Sequence, residues 1–575
     1  MSAAGGNAEA EREQHPLVDP GRPHRWALTW LLFLAGALIL DDLFDAGVFK
    51  PAATALLAGL PLCVLLAVAG RDAAAAWFPS LPGRLLLLMV GVGALASRGQ
   101  LVPSGAIDTV LLFGLAHVAA VLGLRAAEHD ARALERGLLI VGGVVAAACV
   151  LQALDVDLGL SGGPDEVVGL SGNSTRAGAL LAMAVTAGLT ALTGGRAEGR
   201  ADDPHSQRRA HYPLASWRSA LPRCALLVLL IGACLLTRAR GARLATLVAL
   251  GVVAAAAWWR GRHPPQTLRT QQAVTPPARG RVLAALLALT LLGFAAAHAL
   301  GGRDAVLGRK LEQSGPILEG QDLTTNVRLA VWSATGDMIA AAPGGWGLGG
   351  FRKHFRDFRD PVEAAMPGLA GAATEVHHPH NELLVLAAET GVLGALFGLL
   401  LVLLTARRAW VRCVDEAGVT QRVASAVFVC GLVLATLQNA LHDVGTALPF
   451  WAAVGVIWSP RPQESRAWWL GKRSTGVLLV VLGAALALLA WPRLDSQLSL
   501  RSAFLAIERT QAVDAQAVSF FERALQATPR DPDVAALVKE FGEVGLRQAA
   551  QLRDVSLQAR LVNLITAAKA TLAEN

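Results

Sequence analysis

Apolar positions along this chain gather into runs, and the runs repeat almost from one end to the other. They cover residues 26–40, 52–70, 84–97, 106–124, 137–154, 177–193, 222–236, 243–258, 282–300, 381–405, 423–441, 446–459 and 475–491. Each approaches the roughly 20 apolar residues that carry a helix through a bilayer. The pattern predicts an all-α polytopic membrane protein with about 12–13 transmembrane helices. Its parts are an N-terminal tail (1–25), nine helices (26–300), a polar loop (301–380), four helices (381–491) and a helical C-terminal tail (492–575).

Composition agrees with this. The 575 residues are 54% hydrophobic and only 17% charged, with a mean hydropathy of +0.46; soluble domains are about 25% charged. A net charge of +7 fits the excess Lys and Arg of cytoplasmic loops better than a nucleic-acid partner. Arginines crowd alternate loops: Arg22 and Arg25, Arg71 and Arg84, Arg125 to Arg136, the stretch 196–223, the stretch 260–281, Arg407 to Arg422, and Arg461 to Arg473. The loops between them are acidic, with Asp41, Asp42 and Asp45, then Asp155, Asp157, Asp165 and Glu166. The N-terminus is therefore predicted inside, and loop 301–380 and the C-terminal tail outside, the periplasm in a bacterium. No small-residue cleavage site follows the first run, so it reads as a retained helix. The six cysteines, at positions 63, 149, 224, 234, 413 and 430, form no CxxC pair. They read as small hydrophobes and not as a disulfide or zinc framework.

The charge pattern has exceptions. Thr237 to Arg243 reads TRARGAR and places Arg238, Arg240 and Arg243 in one tight turn on the outside. Arg98 and Arg176 are also on that side. A single such Arg is accounted for by snorkelling. Three in one turn point to an anion, because the guanidinium fork matches phosphate oxygens in pairs.

Within the polar loop, Leu329, Val331, Trp332, Met338 and Ile339 recur at helical spacing. They predict an amphipathic helix on the membrane surface, opened by Arg328 and ended by Pro343-Gly344-Gly345. The following GxGG is a weak signal, since no strand precedes it. His377-His378-Pro379-His380-Asn381 then leads into the tenth run, with Glu389 and Gly391 about two turns further on. Asn381 has the chemistry of a helix N-cap. A neutral imidazole takes a proton from a hydroxyl. A metal is the competing use of these histidines, but no neighbouring carboxylate or Cys completes a ligand set. In the tail, the stretch from Phe520 to Pro532 resembles part of a tetratricopeptide unit. One unit does not bury a core alone, so a packing or docking appendage is predicted.

Taken in order, these motifs resemble the O-antigen ligase and O-antigen polymerase superfamily of bacterial membrane glycosyltransferases. The resemblance is carried by Gly172-Asn173, Thr237-Arg238-Ala239-Arg240-Gly241-Ala242, Arg328 with Trp332, Pro343 with Gly347 and Gly349, and His378-Pro379-His380-Asn381 with Leu384, Glu389, Gly391 and Gly394. Ala239 stands where the family usually has Ser. The resemblance implies transfer of a glycan from undecaprenyl pyrophosphate to an acceptor hydroxyl at the periplasmic face of the inner membrane. The acceptor is lipid A-core in ligases, another lipid-linked glycan in polymerases, or a protein in O-oligosaccharyltransferases. By the same resemblance His380 is the base, and Arg240 and Arg328 hold the leaving pyrophosphate. Arg238, Arg243, His378, Asn381, Asn173, Arg176 and Glu389 line the substrate site. No cofactor, metal or nucleic acid is implied, and the displacement inverts the anomeric carbon. Two other classes remain: a polysaccharide transporter or flippase, and a non-catalytic scaffold. Neither releases undecaprenyl pyrophosphate.

Overall fold

The computed structural model describes residues 22–37, 46–97, 103–129, 132–154, 156, 167, 169–170, 173–193, 213–237, 239–262, 323–365, 378–415, 418–460 and 472–574. Run 282–300, Arg98, Arg238 and His377 lie outside them. Among the described residues every regular element is helical. Of the described helices, eight are long and apolar enough to cross a membrane and four are shorter apolar helices. Each falls on a predicted run, so the chain is an all-α polytopic membrane protein.

In chain order the bundle contains α1 (Arg22–Ala37), α2 (46–77, with π-helical turns at Ala55–Gly59 and Leu66–Gly70), α3 (Leu81–Ala96), α4 (Pro103–His129) and α5 (Ala133–Ala153). It continues with α6 (Ser174–Thr193), α7 (Pro213–Leu236), α8 (Arg240–Arg262), the loop helices α9 (Leu323–Ala341) and α10 (Gly350–Ala365), then α11 (Glu382–Asp415), α12 (Val419–Leu437) and α13 (Val444–Ile457). At the centre is α13, buried along its whole length. A helix apolar on every side has no polar face to present and belongs inside. It packs along α4, α12 and α1. Its approach to α4 depends on two glycines: a Cβ at Gly123 would strike Ala452 O, and one at Gly455 would strike Ala120 O. Small residues permit such close contact where lipid surroundings leave helix association to packing.

Helix α14 (Lys472–Thr510) does not stop at residue 491, where its apolar run ends. Its 39 residues reach about 58 Å at 1.5 Å per residue, nearly twice a hydrocarbon core. The first half packs on α2, and the second pairs with α15 (Ala515–Ala527). Helices α16 (Pro532–Leu552) and α17 (Val555–Glu574) form a second hairpin. Leu500, Ala503, Phe521, Val538 and Leu561 meet in a separate core. The tail thus buries a core of its own, because the last membrane helix supplies the helix that a single unit lacks. At the junction, Arg493 is buried and bonds both Asp531 and Asp108 of α4.

The loop helices differ from expectation. Val331, Ala334 and Met338 of α9 pack on Phe351, Phe355 and Ala388 of α10 and α11, so protein covers Val331 and Met338 of the face predicted to rest on lipid, while Leu329 stays exposed. Helix α10 is unforeseen: its apolar stripe, Phe351, Phe355, Phe358 and Val362, is interleaved with Arg352, Lys353, Arg356 and Asp357. All six cysteines are free; five are buried and Cys224 is exposed.

Candidate functional site

A break in α11 organises the site. Gly391 has φ 72° and ψ 179° inside the helix, a conformation essentially restricted to glycine. Opening the helix there frees carbonyls that the glycine-rich loop uses. Trp346 N donates to Ala388 O at 2.8 Å, Gly347 N to Glu389 O at 2.9 Å, and Val392 N returns to Pro343 O at 2.9 Å. The two backbones touch, since a Cβ on Gly345 would lie 2.5 Å from Gly391 N. Ser97, at the end of α3, locks the loop by accepting from Leu348 N at 2.9 Å while its hydroxyl donates to Gly93 O at 2.8 Å. The Glu389 carboxylate is buried and accepts backbone hydrogen bonds from Gly349 and Phe351 at the start of α10. Glu389 thus caps α10, where a carboxylate also meets the positive end of the helix dipole.

Upstream of this knot, Asn381 caps α11, its Oδ1 accepting from Leu383 N at 3.1 Å and Leu384 N at 3.3 Å. Pro379 O accepts from Trp332 Nε1 on α9 at 2.7 Å. Between them His380 is solvent-accessible with a left-handed φ of 54°, which costs a non-glycine residue roughly 1–2 kcal/mol. Desolvation by surrounding atoms, then the nearby Arg328 guanidinium, hold its pKa below the ordinary imidazole range. The ring is therefore neutral near pH 7, as proton abstraction requires.

The arginine turn lies on other helices. Arg240 opens α8 and is exposed, whereas Ala239 is buried. Thr237 Oγ1 donates to Cys234 O at 2.9 Å, and Arg243 Nη2 donates to Leu235 O at 3.1 Å, so Arg243 braces the turn. Gly178 of α6 leaves space for Thr237 and Ala239. Asn173 caps α6, its Oδ1 accepting from Thr175 N at 2.8 Å, which places Arg176 in the first turn.

The sequence pattern missed what joins these parts. Run 423–441 is predicted as one span, but α12 ends at Leu437 and residues 438–443, QNALHD, form a polar loop. Gln438 lies against Gly241, where a Cβ would come within 2.5 Å of its amide nitrogen. Leu441 N and His442 N donate to Glu382 Oε1 at 2.7 and 3.2 Å, and His442 Nδ1 lies 2.7 Å from Glu382 Oε2. The His442 ring rests on that of His378, centroids 4.4 Å apart. Asp443 and Arg176 act electrostatically on Lys50 of α2, which is buried. One loop therefore touches the arginine turn and the histidine segment and faces a buried lysine. A signal existed: Lys50 stands just before an apolar run, Gln438 and Asn439 fall near the end of another, and His442 and Asp443 follow before the next. The assembled groups offer a neutral imidazole beside the Arg328 guanidinium, a cation suited to an anionic group.

The family model described as O-antigen ligase matches residues 225–399. That span contains α8, α9, α10 and the break in α11, with Arg240, Arg243, Arg328, His378, His380, Asn381 and Glu389. No curated protein matches the chain.

Proposed function

Because residues 225–399 carry an O-antigen ligase region, we propose that the protein transfers a glycan from undecaprenyl pyrophosphate to an acceptor hydroxyl at the periplasmic face of the inner membrane. The observation that carries this reading is the neutral imidazole of His380 beside Arg328, in a segment that loop 438–443 ties to the Arg240 turn. His380 takes the proton of the acceptor hydroxyl as its oxygen attacks the anomeric carbon. The bond from that carbon to the pyrophosphate oxygen breaks, and the leaving group departs with the electron pair. Arg240 and Arg328 neutralise the charge it gains, which is worth most where water is excluded. One displacement inverts the anomeric configuration. The leaving group is already activated, so the reading asks for no cofactor or metal.

Among acceptors, lipid A-core is preferred because the matching family is described as a ligase. The test reconstitutes the purified protein in vesicles with an undecaprenyl-pyrophosphate-linked glycan and follows release of undecaprenyl pyrophosphate. Release is expected in the wild type, and His380→Ala should lose roughly 10²–10⁴-fold of the rate. Full activity in that variant overturns the base assignment. A deletion strain identifies the acceptor: unglycosylated lipid A-core supports a ligase, single-repeat glycans a polymerase, and unmodified proteins a protein transferase.

A further inference from the structure

We propose that Glu382 and His442 are the positioning pair of this site, a charged clamp that holds His380 in its productive orientation. The proposal rests on the transferase reading, and its test separates the two.

Glu382 is the first residue of α11, and its carboxylate has three contacts on one loop. Oε1 accepts from Leu441 N at 2.7 Å and His442 N at 3.2 Å, while Oε2 lies 2.7 Å from His442 Nδ1. Across that contact the carboxylate pairs with a proton on Nδ1 and holds the ring against the start of α11. The ring lies tilted against that of His378, centroids 4.4 Å apart. His378 is joined to His380 through Pro379, whose φ its own ring fixes and whose carbonyl is bonded to Trp332. The links Glu382, His442, His378, Pro379 and His380 form a short chain with few free torsions. Such a chain is what a left-handed residue needs to stay in place, because without it the backbone relaxes.

The charged groups facing His442 come from two elements. Glu382 and Glu389 of α11 both favour its proton, and His378 covers its ring. On its own loop, Asp443 faces Lys50. Burial alone disfavours the charge on His442, but the two carboxylates outweigh it and its pKa is raised. The two histidines are thus divided: His380 is neutral and reactive, and His442 is charged and structural. The clamp is intact below the raised pKa of His442 and is lost as pH rises through it. The acid limb of the rate is expected to follow His380, which burial and then Arg328 hold below the ordinary imidazole range.

The experiment measures kcat, donor KM and pH dependence for the full chain in vesicles, in wild type, Glu382→Gln and His442→Ala. The Gln amide oxygen still accepts the two backbone hydrogen bonds, so the loop keeps its anchors and only the charge pairing is removed. Glu382→Gln is expected to lower kcat roughly 10–100-fold, leave donor KM within about twofold, and move the alkaline limb to lower pH. An unchanged kcat and limb overturn the proposal. So does a parallel loss of kcat, KM and thermal stability with the limb unmoved, since that is general packing. A readout independent of the donor is histidine NMR, with the His442 signal assigned by its loss in His442→Ala. The signal should titrate above the ordinary range in wild type and below it in Glu382→Gln; identical titration overturns the clamp. If wild type shows this titration but releases no undecaprenyl pyrophosphate, the transferase reading fails instead.

Discussion

At the scale of single residues, geometry separates exposed charged and basic side chains from side chains whose polar atoms build the backbone around them. Arg240 and His380 are exposed. Asn173, Asn381 and Glu389, grouped with them by resemblance, cap helices, and Arg243 braces a turn. Arg240→Lys tests the distinction, because an ammonium keeps the charge but not the paired contact with two phosphate oxygens. Transfer should fall at least tenfold or so, the order of one lost charge-assisted hydrogen bond, as measured by release of undecaprenyl pyrophosphate. An unchanged rate would mean that only the charge matters there. Desolvation and Arg328 lower the pKa of His380, so its base form survives to lower pH than a free imidazole allows. Arg328→Gln removes one cause, and the acid limb of the rate should move up in pH.

At the scale of elements, the decisive contact is between the broken α11 and the loop joining α9 to α10. Their interlock leaves no space for side chains at Gly345 or Gly391, and both residues have positive φ. Gly391→Ala should destabilise the protein by about 1–3 kcal/mol from backbone strain alone, visible as a lower melting temperature in detergent. It should also release the cap that Glu389 provides to α10. Ser97→Ala is milder: it removes the acceptor of Leu348 N at about 1 kcal/mol. If Gly391→Ala proved no more disruptive than Ser97→Ala, the break would not be holding the loop.

At the scale of the whole molecule, the tail is tied both to the bundle and to the loop helices. Arg493, with 3% of its side chain exposed, joins Asp108 of α4 to Asp531 at the start of α16. Arg352 of α10 pairs with Asp533 two residues further on. Removing one member of a buried pair leaves an uncompensated charge and costs about 3–5 kcal/mol. Arg493→Ala should therefore lower thermal stability far more than Arg352→Ala, whose exposed pair contributes about 1 kcal/mol or less. Comparable melting temperatures for the two would show that the junction is not a buried ionic clamp.

The sequence by itself determined the class of the protein. Helix formation and membrane insertion depend on residues close along the chain, so apolar runs placed the spans, and Asn381 marked the start of α11. The kinds of chemistry were equally legible, since a cluster of arginines and a HPHN segment stand out wherever they fold. Only the tertiary structure decided which of these groups meet. Glu382 finds its partners 59 and 60 residues away, and Ser97 meets Leu348 across 251, separations on which no helical period bears. The opening at Gly391 is likewise invisible locally, because a helix is worth breaking only if another backbone arrives to use the carbonyls it gives up. Residues 438–441 fall inside the predicted span 423–441 for the same reason: the polar groups of loop 438–443 meet distant partners, which no local pattern reports.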